Sequence, residues 1–166
     1  ITTVTSLGHS FTATELKAIQ KELPHSCWVI DGGAGAHCSN RREYFREIND
    51  ARITGIIVGN GEVTPVLGAG NNTLRNKGDH AAERPVFELN DVQYVPGLHV
   101  NLISVKQFDK QGLYTITGGG RLFVISRTGN VLITGTLRQA PGLPDDLYVL
   151  DGEPVIYTGA ISTPVL

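Results

Sequence analysis

At 166 residues, with a formal net charge of -2 and 18% charged residues, the chain is large enough to bury one core with at most a small appendage, and it lacks the basic excess of a surface that coats nucleic acid. Its dense basic cluster, Arg41, Arg42 and Arg46, is offset by Glu43 and Glu47; no apolar run approaches the ~20 residues of a membrane span, and "ITTVTSLGHS" lacks the basic-then-apolar layout of a secretory leader. Membrane-spanning and direct nucleic-acid-binding classes are therefore set aside, and a soluble intracellular protein is expected, with Cys27 and Cys38 too few for a disulfide framework and read as buried thiols. The absent initiator Met and abrupt ends read as a piece of something longer.

In chain order, Thr12-Ala13-Thr14-Glu15 reads as a capping box opening a helix to about Leu23, stopped by Pro24. The run Cys27-Trp28-Val29-Ile30 has no polar alternation, as expected of a central strand covered on both faces. Asn40 to Ile48 reads as a short helix. Then "RITGIIV", "VTPVLGAG" and "PVFELNDVQYV" are β-rich and punctuated by glycine and proline. Ile103 to Gln111 reads as a second short helix, ended by Gly112. "YTITGGGRLFVI" and "GNVLITGTL" continue the β texture, with hairpin turns at "TGGG" and "RTGN". The expected fold is all-β: a small closed antiparallel barrel with two or three short helices and an extra C-terminal set of hairpins. The organisation expected is a segment 1–26 with one helix, a core 27–112, added hairpins 113–151 packed on that core, and a tail 152–166.

The stretch "CWVIDGGAGAHCSN" holds one acid between an apolar strand and a glycine-rich turn. On those residues alone Asp31 is a strand-to-turn signal. Small neighbours at Gly32, Gly33 and Ala34 also let a second backbone approach the carboxylate closely. "VIDGGAGAH" resembles the apolar-apolar-Asp-Ser/Thr-Gly-Ala-Ser-x-His pattern of the aspartic protease region of copia-type retrotransposon polyproteins, matching it at Asp31, Gly33, Ala34 and His37. "VGNGEVTPVLGAGN" resembles that family's glycine-tipped hairpin, "DVQYVPGLHVNLISVKQF" its Val-Pro-x-Leu-x-x-Asn-Leu-Leu-Ser-Val segment, and "LYVLDG" its closing strand. These matches are collinear from about Trp28 to Asp151.

The resemblance implies a retropepsin-like barrel that provides one catalytic carboxylate, Asp31, per chain and works as a homodimer on a polypeptide substrate, its own Gag-Pol polyprotein. It implies a flap around Gly59, Asn60 and Gly61, and support of the Asp31 loop from beneath by Asn101, Leu102, Ile103 and Ser104. It implies no cofactor, no membrane partner, and a cytoplasmic setting in a virus-like particle. His37 has no chemical step of its own and is expected to pack or hydrogen-bond near the loop. Gly32 departs from the family's Ser or Thr, removing a hydroxyl hydrogen bond of ~0.5–1.5 kcal/mol from each chain. Two classes of function stay open: a dimeric aspartic endopeptidase, and a catalytically inactive or domesticated barrel that binds protein.

Other constellations are weaker. His25, Cys27, His37 and Cys38 are metal-capable, but His-x-Cys is not a knuckle spacing and adjacent strand residues face opposite ways, so no metal is expected. Asn71-Asn72-Thr73 matches a glycosylation sequon without a secretory context. Gly68-Ala69-Gly70 and Gly118-Gly119-Gly120 lack the Lys-Ser/Thr of a phosphate loop and read as turns. Tyr148-Val149-Leu150-Asp151-Gly152 faintly echoes Trp28 to Gly32, which would give the chain two matched acids of its own.

Overall fold

The computed structural model describes residues 4–6, 27–58, 61–77, 85–139 and 146–157. The expected helix at 12–23 lies outside these residues. Among the described residues thirteen strands run in chain order: β1 (Val4–Ser6), β2 (Trp28–Asp31), β3 (His37–Ser39), β4 (Gly55–Ile57), β5 (Val63–Pro65), β6 (Gly68–Asn76), β7 (Val86–Tyr94), β8 (Asn101–Ser104), β9 (Tyr114–Gly118), β10 (Arg121–Ile125), β11 (Val131–Arg138), β12 (Leu147–Leu150) and β13 (Gly152–Pro154). A 3-10 turn covers Arg42–Tyr44, and the α-helix α1 (Val105–Lys110) follows β8 directly.

The strands form two sheets. A small one has the order β1-β4-β5, and a ten-stranded one runs β13-β6-β7-β3-β8-β2-β12-β11-β10-β9. The protein is thus mostly β, as its composition indicated. Most pairings are antiparallel, but β1 with β4, β2 with β8 and β3 with β7 are parallel, which short β-rich runs alone do not announce. Strand β13 begins two residues after β12 ends, so one chain segment pairs with β2 and β11 before Asp151 and with β6 after it.

Two apolar layers flank β2. Val29 joins Cys38, Ile56, Val58, Val66, Leu102 and Leu147 on one face, while Trp28 and Ile30 join Phe45, Leu74, Ile103, Phe108, Leu122 and Ile133 on the other. Every residue of β2 is buried, which explains the missing alternation. The second layer draws on the C-terminal hairpins as well as on the N-terminal half, so β10–β12 share their core with β2.

Local chemistry accounts for the connections. Gly119 and Gly120, with φ of 59° and 79°, make the tight turn between β9 and β10. At the end of α1 the Leu113 N–H donates to the Phe108 carbonyl and the Gly112 N–H to that of Asp109, with Gly112 left-handed at φ 79°. Both expected helices are shorter than their sequence spans. Ile103 and Ser104 belong to β8, paired with Ile30 and Asp31. Phe45 and Asn49 leave the 3-10 turn to bridge Asn72 and Ala69 of β6. This approach is so close that a Cβ on Gly70 would strike the Glu47 carbonyl, and one on Gly68 the Ile48 side chain.

Candidate functional site

Strands β2 and β3 do not pair with each other, because β8 lies between them, parallel to β2 and antiparallel to β3. Two ladder spacings separate them, about 10 Å, which residues 32–36 bridge across the C-terminal end of β8. Asp31 is the last residue of β2 and sits opposite Ser104. It is 6% exposed, so the carboxylate lies at a covered strand end rather than at an exposed loop tip. Its Oδ1 accepts the Gly33 N–H at 2.7 Å, a turn closed by the aspartate side chain itself. A Cβ built on Gly32 meets nothing within 4 Å.

The loop is held from below by two side chains. Ser104 donates from Oγ to the Ala34 carbonyl at 2.6 Å, and Gln107 donates from Nε2 to the Gly35 carbonyl at 2.8 Å. Ser104 is also the N-cap of α1, its Oγ accepting the Gln107 N–H at 3.2 Å, while its own N–H donates to His37 Nδ1 at 2.9 Å. Asn101 spans the other end of β8: Nδ2 donates to the Cys27 carbonyl at 3.2 Å, and Oδ1 accepts the Asn40 N–H at 3.1 Å. Leu102 and Ile103, fully buried, face the two apolar layers in turn. Of these partners, Gln107 and Asn40 went unremarked in the sequence. The Ser-Val-Lys-Gln spacing of a capping box marked Gln107, although its amide reaches the Gly35 carbonyl instead of turning back on the cap.

His37 is 1% exposed and packs against Phe108, the rings tilted by 51° with centroids 5.1 Å apart. Because Nδ1 accepts a hydrogen bond, the proton of the neutral ring is on Nε2, which finds no acceptor among the described residues. Burial lowers its pKa from 6.5 to about 4, so the ring is uncharged at neutral pH. Cys38 lies in the opposite apolar layer, and desolvation raises its thiol pKa far above the usual range. No group of three or more metal-capable side chains occurs among the described residues.

The face of β2 that carries Val29 also carries Asp31, by strand alternation. Over that face lies the β4–β5 hairpin, whose Ile56, Val58 and Val66 pack in the same layer as Val29. The Val58 N–H donates to the Glu62 carbonyl at 3.0 Å, and the Gly61 N–H to that of Val58 at 2.9 Å, so the hairpin closes at the expected flap position. Gly61 has φ of 86°, while Gly59 and Asn60 lie outside the described residues. A polar cleft of about 500 Å³ elsewhere, lined by Arg46, Glu47, Asn49, Gly70, Asn71 and Glu88, does not include Asp31.

Asp151 is not a second half of the site. The ladder Tyr148↔Ile30 and Val149↔Val29 places it opposite Cys27, four residues and about 13 Å along β2 from Asp31. Its carboxylate accepts Thr136 Oγ1 on Oδ1 at 2.7 Å, and on Oδ2 both Thr134 Oγ1 at 2.8 Å and Arg121 Nη2 at 3.1 Å. That network secures the bend between β12 and β13. The echo of the two Asp-Gly pairs is therefore two strand ends with separate partners.

Fold and site together define a mostly β domain organised around one strand-end carboxylate whose loop straddles an inserted parallel strand. Residues 28–113, just over half of the chain, match the family model described as the Pol polyprotein, beta-barrel domain, and the chain belongs to that family. It is similar to a transposon Ty5-1 protein of Saccharomyces cerevisiae, 31% identical over 78 residues that make up 47% of each chain. The chain thus covers about half the length of that relative. No solved structure matches it.

Proposed function

We propose that this chain is the aspartic protease region of a copia-type retrotransposon Pol polyprotein, acting as a homodimer on extended segments of its own Gag-Pol chain. The observation that carries this reading is the Asp31 loop: a carboxylate at the end of a buried strand, its loop carbonyls tied to Ser104 and Gln107, under a glycine-tipped hairpin. One such carboxylate per chain completes an active site only against a second copy. Across that two-fold axis two Asp31 side chains share one proton; the ionised one activates a water and the protonated one polarises the scissile carbonyl. Gly33, half-buried beside Asp31, leaves room for the substrate backbone, whereas Ala34 is buried beneath the loop, and the hairpin around Gly61 excludes bulk water. In this reading the segment 147–154 closes the large sheet into the barrel, and the domain works in the cytoplasm within a virus-like particle, free of cofactor, membrane and direct nucleic-acid contact.

Gly32 weakens the dyad without deforming the fold. The open space around its Cβ position accommodates a serine, so what is missing is a hydroxyl to steady the paired loops. Two observations favour a second reading, a non-catalytic module that binds protein: Gly32 itself, and the 6% exposure of Asp31. The deciding experiment is cleavage of a polyprotein-derived peptide library at mildly acidic pH by the wild type, Asp31→Asn and Gly32→Ser. Slow wild-type cleavage, none in Asp31→Asn and faster cleavage by Gly32→Ser support the protease. Silence in all three supports the binding module, and cleavage that survives Asp31→Asn overturns the aspartic mechanism.

A further inference from the structure

The β4–β5 hairpin has two outer edges, and they differ. The bonds Val58 N–H to Glu62 and Val66 N–H to Thr54 set the alternation of this antiparallel pair, so Thr54, Ile56 and Val58 direct their backbone groups at β5, and Gly55 and Ile57 direct theirs outward. On β5 the outward positions are Val63 and Pro65. Proline has no N–H to donate, so the β5 edge is blunted against strand addition. On β4 the outward positions meet β1, in the register Val4↔Gly55, Thr5↔Ile56 and Ser6↔Ile57. Since Ile56 faces β5, the parallel ladder assigns both β1 bonds to Thr5: its N–H to the Gly55 carbonyl, and its carbonyl to the Ile57 N–H.

The contact is small and lies far from β1's own neighbours in sequence. Three residues pair, in the parallel geometry that is the weaker per residue, and among the described residues β1 pairs with no other strand. Twenty-one residues separate Ser6 from Trp28. Yet a hairpin of two short strands is marginal in water and a third strand steadies it. This hairpin is also the element that covers the face of β2 carrying Asp31.

We propose that the outer edge of β4 is a strand-binding site whose resident ligand is the chain's own Val4–Ser6, held as a releasable strap, and that an extended peptide of the same uncharged, β-branched chemistry takes its place when the strap leaves. The recognition is main-chain pairing at Gly55 and Ile57, with specificity for a central residue that retains its N–H. Occupancy sets whether the hairpin over Asp31 is a two-stranded or a three-stranded sheet. The inference stands on the β4 edge and not on carboxylate chemistry, so it survives or fails independently of proteolysis.

The test uses the full chain and the peptide Ile-Thr-Thr-Val-Thr-Ser as probe, followed by amide hydrogen exchange and by the Gly55 and Ile57 amide resonances. Thr5→Pro removes the donor to Gly55 and is expected to release the strap, speeding exchange at Ile57 while Ile56, bonded to β5, keeps its protection. A tethered strand acts at an effective concentration in the millimolar range, so the peptide is expected to bind Thr5→Pro at least about tenfold more tightly than it binds the wild type. Thr5→Ala, which keeps the N–H, should behave as wild type. Unchanged Ile57 exchange in Thr5→Pro overturns the assignment of the strap. Equal peptide affinity for wild type and Thr5→Pro, or no binding to either, overturns the site.

Discussion

Truncating Ser104 to alanine removes one oxygen and two hydrogen bonds. The Oγ donates to the Ala34 carbonyl at 2.6 Å, accepts the Gln107 N–H at 3.2 Å as helix cap, and joins the loop bearing Asp31 to β8. Ala34 is fully buried, so its carbonyl loses a partner where water does not replace it, a cost of ~1–3 kcal/mol. Loss of the N-cap adds ~1 kcal/mol. The expected destabilisation is about 2–4 kcal/mol, a sizeable part of the ~5–15 kcal/mol of a typical domain. With a urea slope of ~2 kcal/mol/M the midpoint falls by about 1–2 M. The single tryptophan, Trp28, is fully buried on the strand that ends in Asp31 and reports unfolding by fluorescence. Ser126→Ala, which removes two exposed contacts, to Thr128 Oγ1 and to the Asn130 N–H, is the control and should shift little. A midpoint change below about 0.3 M for Ser104→Ala, or one equal to the control, would refute the claim that this hydroxyl secures the loop.

Four further outcomes are expected. Because burial holds the His37 pKa at about 4 against 6.5 in an exposed chain, the unfolded state takes up the proton first; stability is intact above pH 6.5 and declines as pH falls toward about 4, by ~3 kcal/mol in full, and His37→Gln should flatten that limb of a stability–pH profile. Gly32→Ala should change stability by less than ~1 kcal/mol, whereas Gly70→Ala, whose Cβ strikes the Glu47 carbonyl, should cost ~1–3 kcal/mol or more by thermal melting. A chain ending at Gly112 strips Leu122, Val124, Ile133 and Leu150 from the layer that covers Trp28 and should fail to give a cooperative transition; a two-state unfolding curve of unchanged midpoint would show the hairpins to be a separate unit. Asp151→Asn should destabilise by ~1–3 kcal/mol through its Thr134, Thr136 and Arg121 bonds, yet leave any peptide cleavage that depends on Asp31 in place at permissive temperature.

What could be read from residues alone was what short-range chemistry decides. The unalternating Trp28-Val29-Ile30 run announced a strand covered twice, Gly112 and Gly119-Gly120 announced a helix end and a tight turn, and Asp31 before two glycines announced a strand running into a turn. Where long-range pairing competes with local propensity, the sequence was silent. Asn40 to Ile48 carries helical preference, but Phe45 and Asn49 gain partners in β6 that only the fold brings near, so one 3-10 turn remains. Ser104 and Gln107 lie seventy or more residues from the carbonyls they hold. No periodicity encodes that distance; it follows from β8 entering between β2 and β3, a topological choice fixed by the joint burial of Leu102 and Ile103 in opposite layers. The same register places Asp151 at the far end of β2 from Asp31, so two similar strand-to-turn signals end in unrelated environments. Turns and strand faces depend on neighbours a few residues away, whereas the surroundings of a side chain depend on which distant segments pack beside it.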